Sequence, residues 1–286
     1  MDPTDTSAVP ADFEALKADL LQRKNRLPKR LRQVAEYALG NPDDIAFGTV
    51  ASIAGAAAVQ PSTLIRFAQH LGFEGFSSLQ SLFRERLRGR PTAYGERMEV
   101  LRAEGGAMDA VRILDGFAEA GHRSLDALAQ GIDPAAFGRA AGRLAGAETI
   151  YLIAKRRSYP IGAYMAYAFG KLGIRCQLVG TAAGIDEDIL ALATPRDIGF
   201  AVSFSPYAPE TVVQARALAG RGVPLVSLTD SLFSPLAELS AEWFEIVEAD
   251  HAGFRLLSAS MTFAMAMTVA VAQERERLQP ATKNRT

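Results

Sequence analysis

The sequence predicts a protein of two domains, an all-helical bundle followed by an α/β domain with a parallel sheet. Length is one reason, since 286 residues exceed the usual size of a single domain. A second is a change of pattern near Asp133, where helical apolar spacing gives way to short apolar runs alternating with helices. The predicted boundaries are 12–90 for the helical domain, 91–130 for a linker and connecting helix, and 131–278 for the α/β domain.

Composition is typical of a soluble globular protein, with 49% hydrophobic and 22% charged residues. The single cysteine, Cys176, excludes an internal disulfide and favours a cytoplasmic location. It lies in a predicted strand, where we expect it to act as a small buried apolar residue. The N-terminus is polar and acidic, unlike a secretory signal. The longest apolar run, Ser258 to Ala272, is too short to cross a bilayer, so no membrane partner is expected.

Five helices are predicted in the first domain, because apolar residues recur at three- and four-residue spacing. Pro28 separates the first two, and the run G-N-P-D-D, from Gly40, ends the second. Pro61 suits the first position of the fourth helix, and Gly72 suits its end. The predicted helices cover residues 13–21, 31–39, 49–58, 61–71 and 76–87. Residues 1–11 are expected to be disordered.

The third and fourth helices form a helix-turn-helix, since a tight turn of small residues joins two short helices. The second helix of such a pair reads the major groove of DNA. Its polar face carries the hydroxyl, amide, imidazole and guanidinium groups that reach base edges and phosphates. The candidate DNA-binding residues are Gln60, Ser62, Thr63, Arg66, Gln69 and His70. An ordinary helical hairpin in a core is the alternative.

Basic residues surround this motif. Residues 23–32 contain six cations and no acid, and residues 13–92 carry a net charge of +5 against −3 for residues 93–286. Such a basic face is what contact with phosphates requires, and Lys29 and Arg30 are the candidate residues for it. Four further arginines follow the reader helix: Arg84, Arg86, Arg88 and Arg90. For any one of these residues, a solvated charged face is the alternative.

A polar stretch, residues 89–107, is the predicted linker, and residues 108–128 are a predicted helix that packs on the second domain or on a partner subunit. Strands and helices then alternate, which indicates a parallel sheet covered by helices with right-handed crossovers. The run T-I-Y-L-I-A, from Thr149, is typical of a strand buried on both faces. The predicted strands are 149–154, 175–179, 197–204, 224–229 and 243–247, and the predicted helices are 158–172, 210–219 and 254–277.

Two loops of this sheet are candidate ligand sites. Residues 154–160 and 203–211 each follow a predicted strand and lead into a helix, the position where parallel sheets bind ligands. Both supply hydroxyl groups, and Arg156 or Arg157 would add charge-assisted hydrogen bonds. Together they favour a cage for a small anion, most simply phosphate. Plain helix capping by serine and proline is the alternative.

Residues 27–87 resemble the N-terminal domain of the RpiR family of bacterial transcriptional regulators. The resemblance rests on the runs L-P-K-R-L-R-Q-V-A-E-Y-A-L-G-N-P-D-D-I-A-F, V-A-S-I-A and P-S-T-L-I-R-F-A-Q-H-L-G-F-E-G-F-S-S-L-Q. It implies a DNA-binding helix-turn-helix. One difference is Gln60, which stands where the family often has Ser or a similar cap.

Residues 151–277 resemble a sugar isomerase (SIS) domain, the usual C-terminal half of these regulators. The resemblance implies a three-layer α/β domain that binds phosphosugars through a Ser in the first loop and a later Ser-x-Ser-Gly-x-Thr loop. Ser158 matches the first of these. Ser203, Ser205 and Thr211 match the second. The run T-D-S-L-F-S-P-L-A, from Thr229, also resembles the family segment after the next strand.

Both loops depart from the family pattern. The first has K-R-R, from Lys155, where Gly is common, and the second reads S-P-Y-A-P-E-T, from Ser205, without its Gly. Gly lets backbone approach a phosphate closely. We therefore expect arginine side chains to replace backbone amides in binding an anion.

Catalysis is not predicted. Aldose–ketose isomerisation needs a base, and the candidates near the final helix are Glu248, Asp250 and His251. His251 is predicted in a loop, as a solvated residue or as part of the ligand site. No metal set is predicted, because the histidines His70, His122 and His251 lack ligand spacing, and no cofactor is expected.

The sequence therefore predicts a transcription regulator that binds operator DNA and a sugar phosphate effector. Its last helix, rich in Met and Ala, is typical of a core or subunit interface, and a homodimer or homotetramer is expected. One alternative is a sugar-phosphate isomerase-like enzyme with an accessory helical domain. Another is a structural adaptor whose SIS-like fold has lost its ligand.

Overall fold

A computed structural model describes residues 9–23, 26–88, 110–180 and 184–278, together with residues 95, 98, 99 and 101. Contacts divide the chain into two units, with the boundary between Met108 and Asp109. The predicted disordered N-terminus and the predicted linker lie mostly outside the described residues.

Six helices of the first unit have their bounds within the described residues. They are α1 (Phe13–Arg23), α2 (Lys29–Gly40), α3 (Pro42–Phe47), α4 (Val50–Ala56), α5 (Pro61–His70) and α6 (Phe76–Arg88). The five predicted helices are all present, but the prediction of only five is wrong. The run G-N-P-D-D ends α2 and also begins α3. Pro42 occupies the first turn of α3, where its missing N–H costs no hydrogen bond.

The apolar face predicted for α5 is buried. Leu64, Phe67 and Ala68 have no exposed surface, and Leu71 has almost none. Side chains from the other helices complete the interior, among them Leu16, Leu20, Val34, Ile45, Ile53, Leu79 and Phe83. Burial of one face fixes the rotation of α5 and leaves its opposite face toward solvent.

Side-chain hydrogen bonds hold the helix-turn-helix. Thr49 and Ser52 form a reciprocal capping box at the start of α4. The turn that follows contains Ala58 in the left-handed region, with φ +52°. From α2, the Gln33 Nε2 donates to the Ala57 carbonyl at 2.9 Å and to the Ala58 carbonyl at 3.3 Å. The turn that sets the angle between α4 and α5 is therefore tied to α2.

Arg84 has a structural contact in α6. Its Nε donates to the Ala46 carbonyl at 2.8 Å, and its Nη2 donates to Gln80, whose amide binds the carbonyls of Ile45 and Gly48 at 2.8 Å each. These bonds satisfy carbonyls at the end of α3, which lack partners within the helix. Arg84 was grouped above with the cations of the DNA-binding face, and this contact gives it a different role.

The second unit is a three-layer α/β/α domain, which confirms the predicted fold class. Its parallel sheet has the order β2-β1-β3-β4-β5. The strands are β1 (Ile150–Ala154), β2 (Cys176–Val179), β3 (Ile198–Val202), β4 (Leu225–Thr229) and β5 (Glu242–Glu245). The helices are α7 (Ala110–Gly131), α8 (Pro134–Gly146), α9 (Tyr159–Lys171), α10 (Asp186–Ala191), α11 (Pro209–Gly220) and α12 (Ser258–Leu278).

Alternate strand residues feed two separate cores. Leu152 and Phe200 join the core built with α8, α9 and α12, whereas Ile153 and Ala201 join the core built with α10 and α11. Phe263 of α12 belongs to the first of these. Burial on both faces explains why the strands read as continuous apolar runs. Cys176 is half-buried against the first core, and burial raises the pKa of its thiol.

The segment before α12 differs from the prediction. Residues 254–257 were assigned to the final helix and His251 to a loop, but β6 (Asp250–His251) and β7 (Phe254–Arg255) form an antiparallel hairpin. Ala252 and Gly253 make its turn, with φ +49° and +81°. Positive φ at both central residues matches the right-handed twist of a two-residue hairpin. No helix within the described ranges combines the length and apolarity needed to cross a membrane.

Replacing Ala58 by Gly should stabilise the first unit. A left-handed conformation strains a side chain with a Cβ, so Ala58→Gly should raise the free energy of unfolding by about 0.5–1 kcal/mol, measured by urea denaturation. The matched control is Ala18→Gly on the exposed face of α1, which should lower it by about 1 kcal/mol. A loss of stability in both variants would contradict strain at Ala58.

Candidate functional site

The polar face of α5 lies open to solvent. Ser62, Arg66, Gln69 and His70 are exposed and Thr63 is half-buried, so the predicted reader residues share the surface opposite the core. Gln60 precedes the helix and makes no capping bond with its side chain. The sequence prediction missed one neighbour, Ile65, which is 43% exposed on the same surface. The face therefore offers both polar groups and an apolar side chain.

The start of α2 adds two exposed cations, Lys29 and Arg30. The Arg30 Nη1 donates to the Gln33 Oε1 at 3.0 Å, and Gln33 is the residue that holds the helix-turn-helix turn. This contact connects Arg30 with the turn that positions α5. Arg23, by contrast, pairs with Asp19 at 2.8 Å. Lys24, Arg90 and the side chains of Arg86 and Arg88 lie outside the described residues.

In the second unit, the two predicted ligand loops begin side by side. Ala154 and Val202 are register partners in the adjacent parallel strands β1 and β3. The first loop then leads through a short 3-10 turn (Arg156–Ser158) into α9, and the second leads through residues 203–208 into α11. The carboxyl ends of β1 and β3 form the switch point of the sheet, because β2 lies on the other side of β1.

The first loop has three basic residues with different partners. Lys155 pairs with Asp186, and both side chains are largely buried. Arg156 takes the left-handed conformation, with φ +53°, and its Nη2 donates to the Glu210 carboxylate at 3.1 Å and 3.3 Å. The Arg157 guanidinium lies 5.2 Å from the centre of the Phe204 ring. Arg156 therefore links the first loop to the first turn of α11.

Ser158 and Thr211 are both buried where the two loops enter their helices. Ser158 is only 4% exposed at the start of α9, and Thr211 has no exposed surface in the first turn of α11. Within the described residues, the buried Thr211 hydroxyl has no hydrogen-bond partner. A buried hydroxyl without a partner costs free energy unless something binds it, so the Thr211 hydroxyl is a group that a polar ligand would satisfy.

The second loop is held by internal hydrogen bonds. The buried Ser203 Oγ accepts from the Ala208 N–H at 3.1 Å, and the Ser205 N–H donates to the Asp230 Oδ2 at 2.9 Å. The Arg255 Nη1 of β7 donates to the Ser205 carbonyl at 2.7 Å. Sequence reasoning did not identify Asp230 or Arg255, because each comes from an element far along the chain.

A second polar cluster lies where β2 ends. Asp186 accepts the Gly180 N–H at 2.9 Å and the Gln214 amide at 3.3 Å, in addition to pairing with Lys155. In the second loop, away from this cluster, burial foremost and then the charge and hydrogen bond of Asp230 raise the pKa of the Tyr207 phenol, which therefore stays protonated at neutral pH. Asp186, Gln214 and Tyr207 also escaped the sequence analysis.

The three residues considered as catalytic bases have structural contacts. The Glu248 carboxylate accepts the Ser260 N–H at 2.8 Å and the Ala259 N–H at 3.4 Å, which caps α12. Asp250 accepts the Gly253 N–H at 3.1 Å in the hairpin turn. His251 was also a candidate ligand residue, but its ring packs against α7, 5.2 Å from the Phe117 ring centre.

Two family models match the sequence. "Helix-turn-helix domain, rpiR family" matches residues 15–88, and "SIS domain" matches residues 143–273. A helix-turn-helix domain followed by a SIS domain defines the class of DNA-binding proteins to which this architecture belongs. The chain belongs to the RpiR family of helix-turn-helix regulators with a SIS domain.

Solved structures support the same fold. The sugar isomerase domain of an RpiR transcription factor from Sphaerobacter thermophilus is 20% identical, with TM-score 0.53, covering 57% of this chain and 91% of that one. The NanR protein of Vibrio vulnificus, complexed with ManNAc-6P, is 24% identical with TM-score 0.53, and the similarity covers 93% of this chain and 92% of NanR. No curated protein matches the sequence significantly.

Glu248 should matter for stability rather than for ligand binding. Glu248→Ala leaves the first N–H groups of α12 without their acceptor, so we expect a loss of about 1–2 kcal/mol in the free energy of unfolding. Glu274→Ala removes an exposed pair with Arg277 on the same helix and should change it by less than about 0.5 kcal/mol. Equal stability of the two variants in thermal denaturation would contradict the capping role.

Proposed function

We propose that this protein is a transcription regulator that binds operator DNA through α5 and senses a sugar phosphate, or a related carbohydrate metabolite, in the cleft of its SIS domain. The observation that carries the proposal is the pairing, in one chain, of an exposed polar reader face with two adjoining loops, the second of which leads to the buried Thr211 hydroxyl that has no partner among the described residues. The chain acts by binding and not by catalysis.

Recognition of DNA is assigned to the open face of α5. Polar side chains there suit base edges, and Ile65 suits the methyl group of thymine. The base-reading set is Gln60, Ser62, Thr63, Arg66, Gln69 and His70. Lys29 and Arg30 are assigned to phosphates, because they are exposed cations beside the turn that leads into α5.

Recognition of the effector is assigned to the two loops at the carboxyl ends of β1 and β3. The loops contribute Arg156, Arg157, Ser158, Ser203, Ser205 and Thr211 to the proposed ligand-binding set. His251 belongs to the set from outside the loops, in the hairpin whose Arg255 contacts Ser205. The effector would supply the Thr211 hydroxyl with a hydrogen bond that no described protein group provides. The ManNAc-6P in the NanR structure supports a sugar phosphate as the class of effector.

Two arguments favour a regulator over an isomerase. Glu248 and Asp250, the acids nearest the last helix, are engaged with backbone N–H groups and are therefore poorly placed to move a substrate proton. The reader helix has no role in an isomerase. Production of an isomerised sugar phosphate, followed by NMR, would favour the alternative enzyme.

A cytoplasmic homodimer or homotetramer is the assembly proposed, because paired reader helices address two half-sites of an operator. Exposed apolar side chains such as Leu114 of α7 and Tyr167 of α9, each more than 60% exposed, support a subunit contact. The effector acts on DNA binding only if it binds the two arrangements of the reader helices unequally.

Arg66→Ala should weaken operator binding. If Arg66 contacts a phosphate, the magnitude of the slope of log K against log salt, where K is the association constant for DNA, should fall by about 1. If Arg66 contacts a base, the preference for the correct base pair at one operator position should fall by about 1–3 kcal/mol. The measurement is fluorescence anisotropy at several salt concentrations, on DNA selected by the wild-type protein. Arg196→Ala, which removes a surface cation from the second unit, is the control. Unchanged affinity and slope for Arg66→Ala would remove this residue from the interface.

A sugar phosphate should raise the melting temperature of the purified protein. A ligand at 100 times its dissociation constant adds about 2.7 kcal/mol of stability, which thermal-shift screening detects readily. The panel contains sugar phosphates, the matching sugars and inorganic phosphate. Binding of none of these would favour the adaptor alternative, and binding of sugars alone would change the proposed class of effector.

A further inference from the structure

The second loop has few backbone donors left for an anion. The Ser205 N–H is bound to Asp230 at 2.9 Å and the Ala208 N–H to the Ser203 Oγ at 3.1 Å. Pro206 and Pro209 have no N–H. An anion binds a loop through such N–H groups, so positions 205, 206, 208 and 209 offer a phosphate no free backbone donor.

Asp230 also places a negative charge against this loop. Its carboxylate follows β4, half-buried, with one oxygen on the Ser205 N–H and the Tyr207 phenol beside it. A carboxylate can only accept hydrogen bonds, so it attracts hydroxyl and ammonium groups and repels a phosphate. Asp230 thus stands where an anionic ligand would otherwise bind the Ser205 amide.

The first loop, which follows β1, carries a cation that can exchange its protein partner for a ligand. Lys155 is engaged in the largely buried pair with Asp186, and Arg157 packs on Phe204. Arg156 is the exposed member, and its partner Glu210 is exposed as well, at 61% and 53% of their side-chain surface. Exposed ion pairs contribute little to stability, so a ligand anion can displace Glu210 at small cost. A phosphate offers Arg156 the bidentate geometry that it prefers.

We propose that the two sides of the cleft bind different groups of the effector. The anionic group of the effector binds Arg156 in place of Glu210, and Asp230 accepts a hydroxyl or ammonium group of the same molecule. This inference rests on the proposed function and specifies how its effector is oriented. In this arrangement Asp230 and Arg156 are the specificity-determining residues. The phosphate then lies against the first loop, whereas the resemblance to SIS domains places it in the second.

The test compares five variants with the wild type by isothermal titration calorimetry on the full chain. The probes are inorganic phosphate and the sugar phosphate that gives the largest thermal shift. Arg156→Gln should weaken binding of both probes at least about tenfold, because charge-assisted hydrogen bonds are lost. Glu210→Gln should tighten both about threefold by removing the competing carboxylate. Asp230→Asn should weaken the sugar phosphate about tenfold without weakening inorganic phosphate.

Glu148→Gln is the matched control for Glu210→Gln, because it removes a carboxylate from another exposed pair, with Arg196 at 2.7 Å. It should leave both affinities unchanged. Melting temperatures without ligand show whether each variant is folded. Arg156 and Glu210 are both exposed, so we expect their substitution to leave the fold unchanged.

The outcomes separate the two proposals. If the wild type binds a sugar phosphate but Arg156→Gln and Glu210→Gln do not change its affinity, while Thr211→Val abolishes binding, the effector anion sits in the second loop and the present inference is wrong. The proposed function would then stand. If the wild type binds neither probe, both proposals fail.

Discussion

The parallel order of the sheet is the constraint on which the second unit depends. Five strands run in one direction and are covered on both faces, so every strand-to-helix loop leaves from the same edge. The order β2-β1-β3 places β1 between the other two, and the ends of β1 and β3 lie side by side at Ala154 and Val202. The Arg156–Glu210 pair bridges the two loops that this order brings together.

Three residues with a Cβ adopt the left-handed conformation within the described part of the chain. Ala58 and Ala252 do so in two tight turns, and Arg156 does so with a φ of +53° in the first loop, where the resemblance to SIS domains led us to expect glycine. Such a conformation strains a residue with a Cβ, so the first loop presents the Arg156 guanidinium at the cost of local strain.

Sequence patterns predicted the elements that are decided locally. The five strands and the buried face of α5 follow from apolar spacing, and the positions of Ser158 and Arg156 follow from a strand-to-helix loop. The short helix α3 was missed because Pro42 both ends and begins a helix. The contact of Asp230 with Ser205 could not be predicted, because 25 residues separate them and only the pairing of β3 with β4 brings them together. The same holds for Arg255.

The contacts of Arg255 bear on how ligand binding in the second unit could affect the reader helices. The second loop is bonded to the hairpin through the Ser205 carbonyl, and the hairpin packs on α7 through His251, so near to Gly116 that a Cβ there would lie 2.4 Å from the ring. α7 is the first helix of the second unit and follows the segment that leads from the first. In the proposed placement of the effector, the group bound by Asp230 contacts the half-buried second loop, which the Arg255 bond and the packing of the hairpin connect to α7. The effector would change DNA binding through this connection only if it bound two arrangements of it unequally.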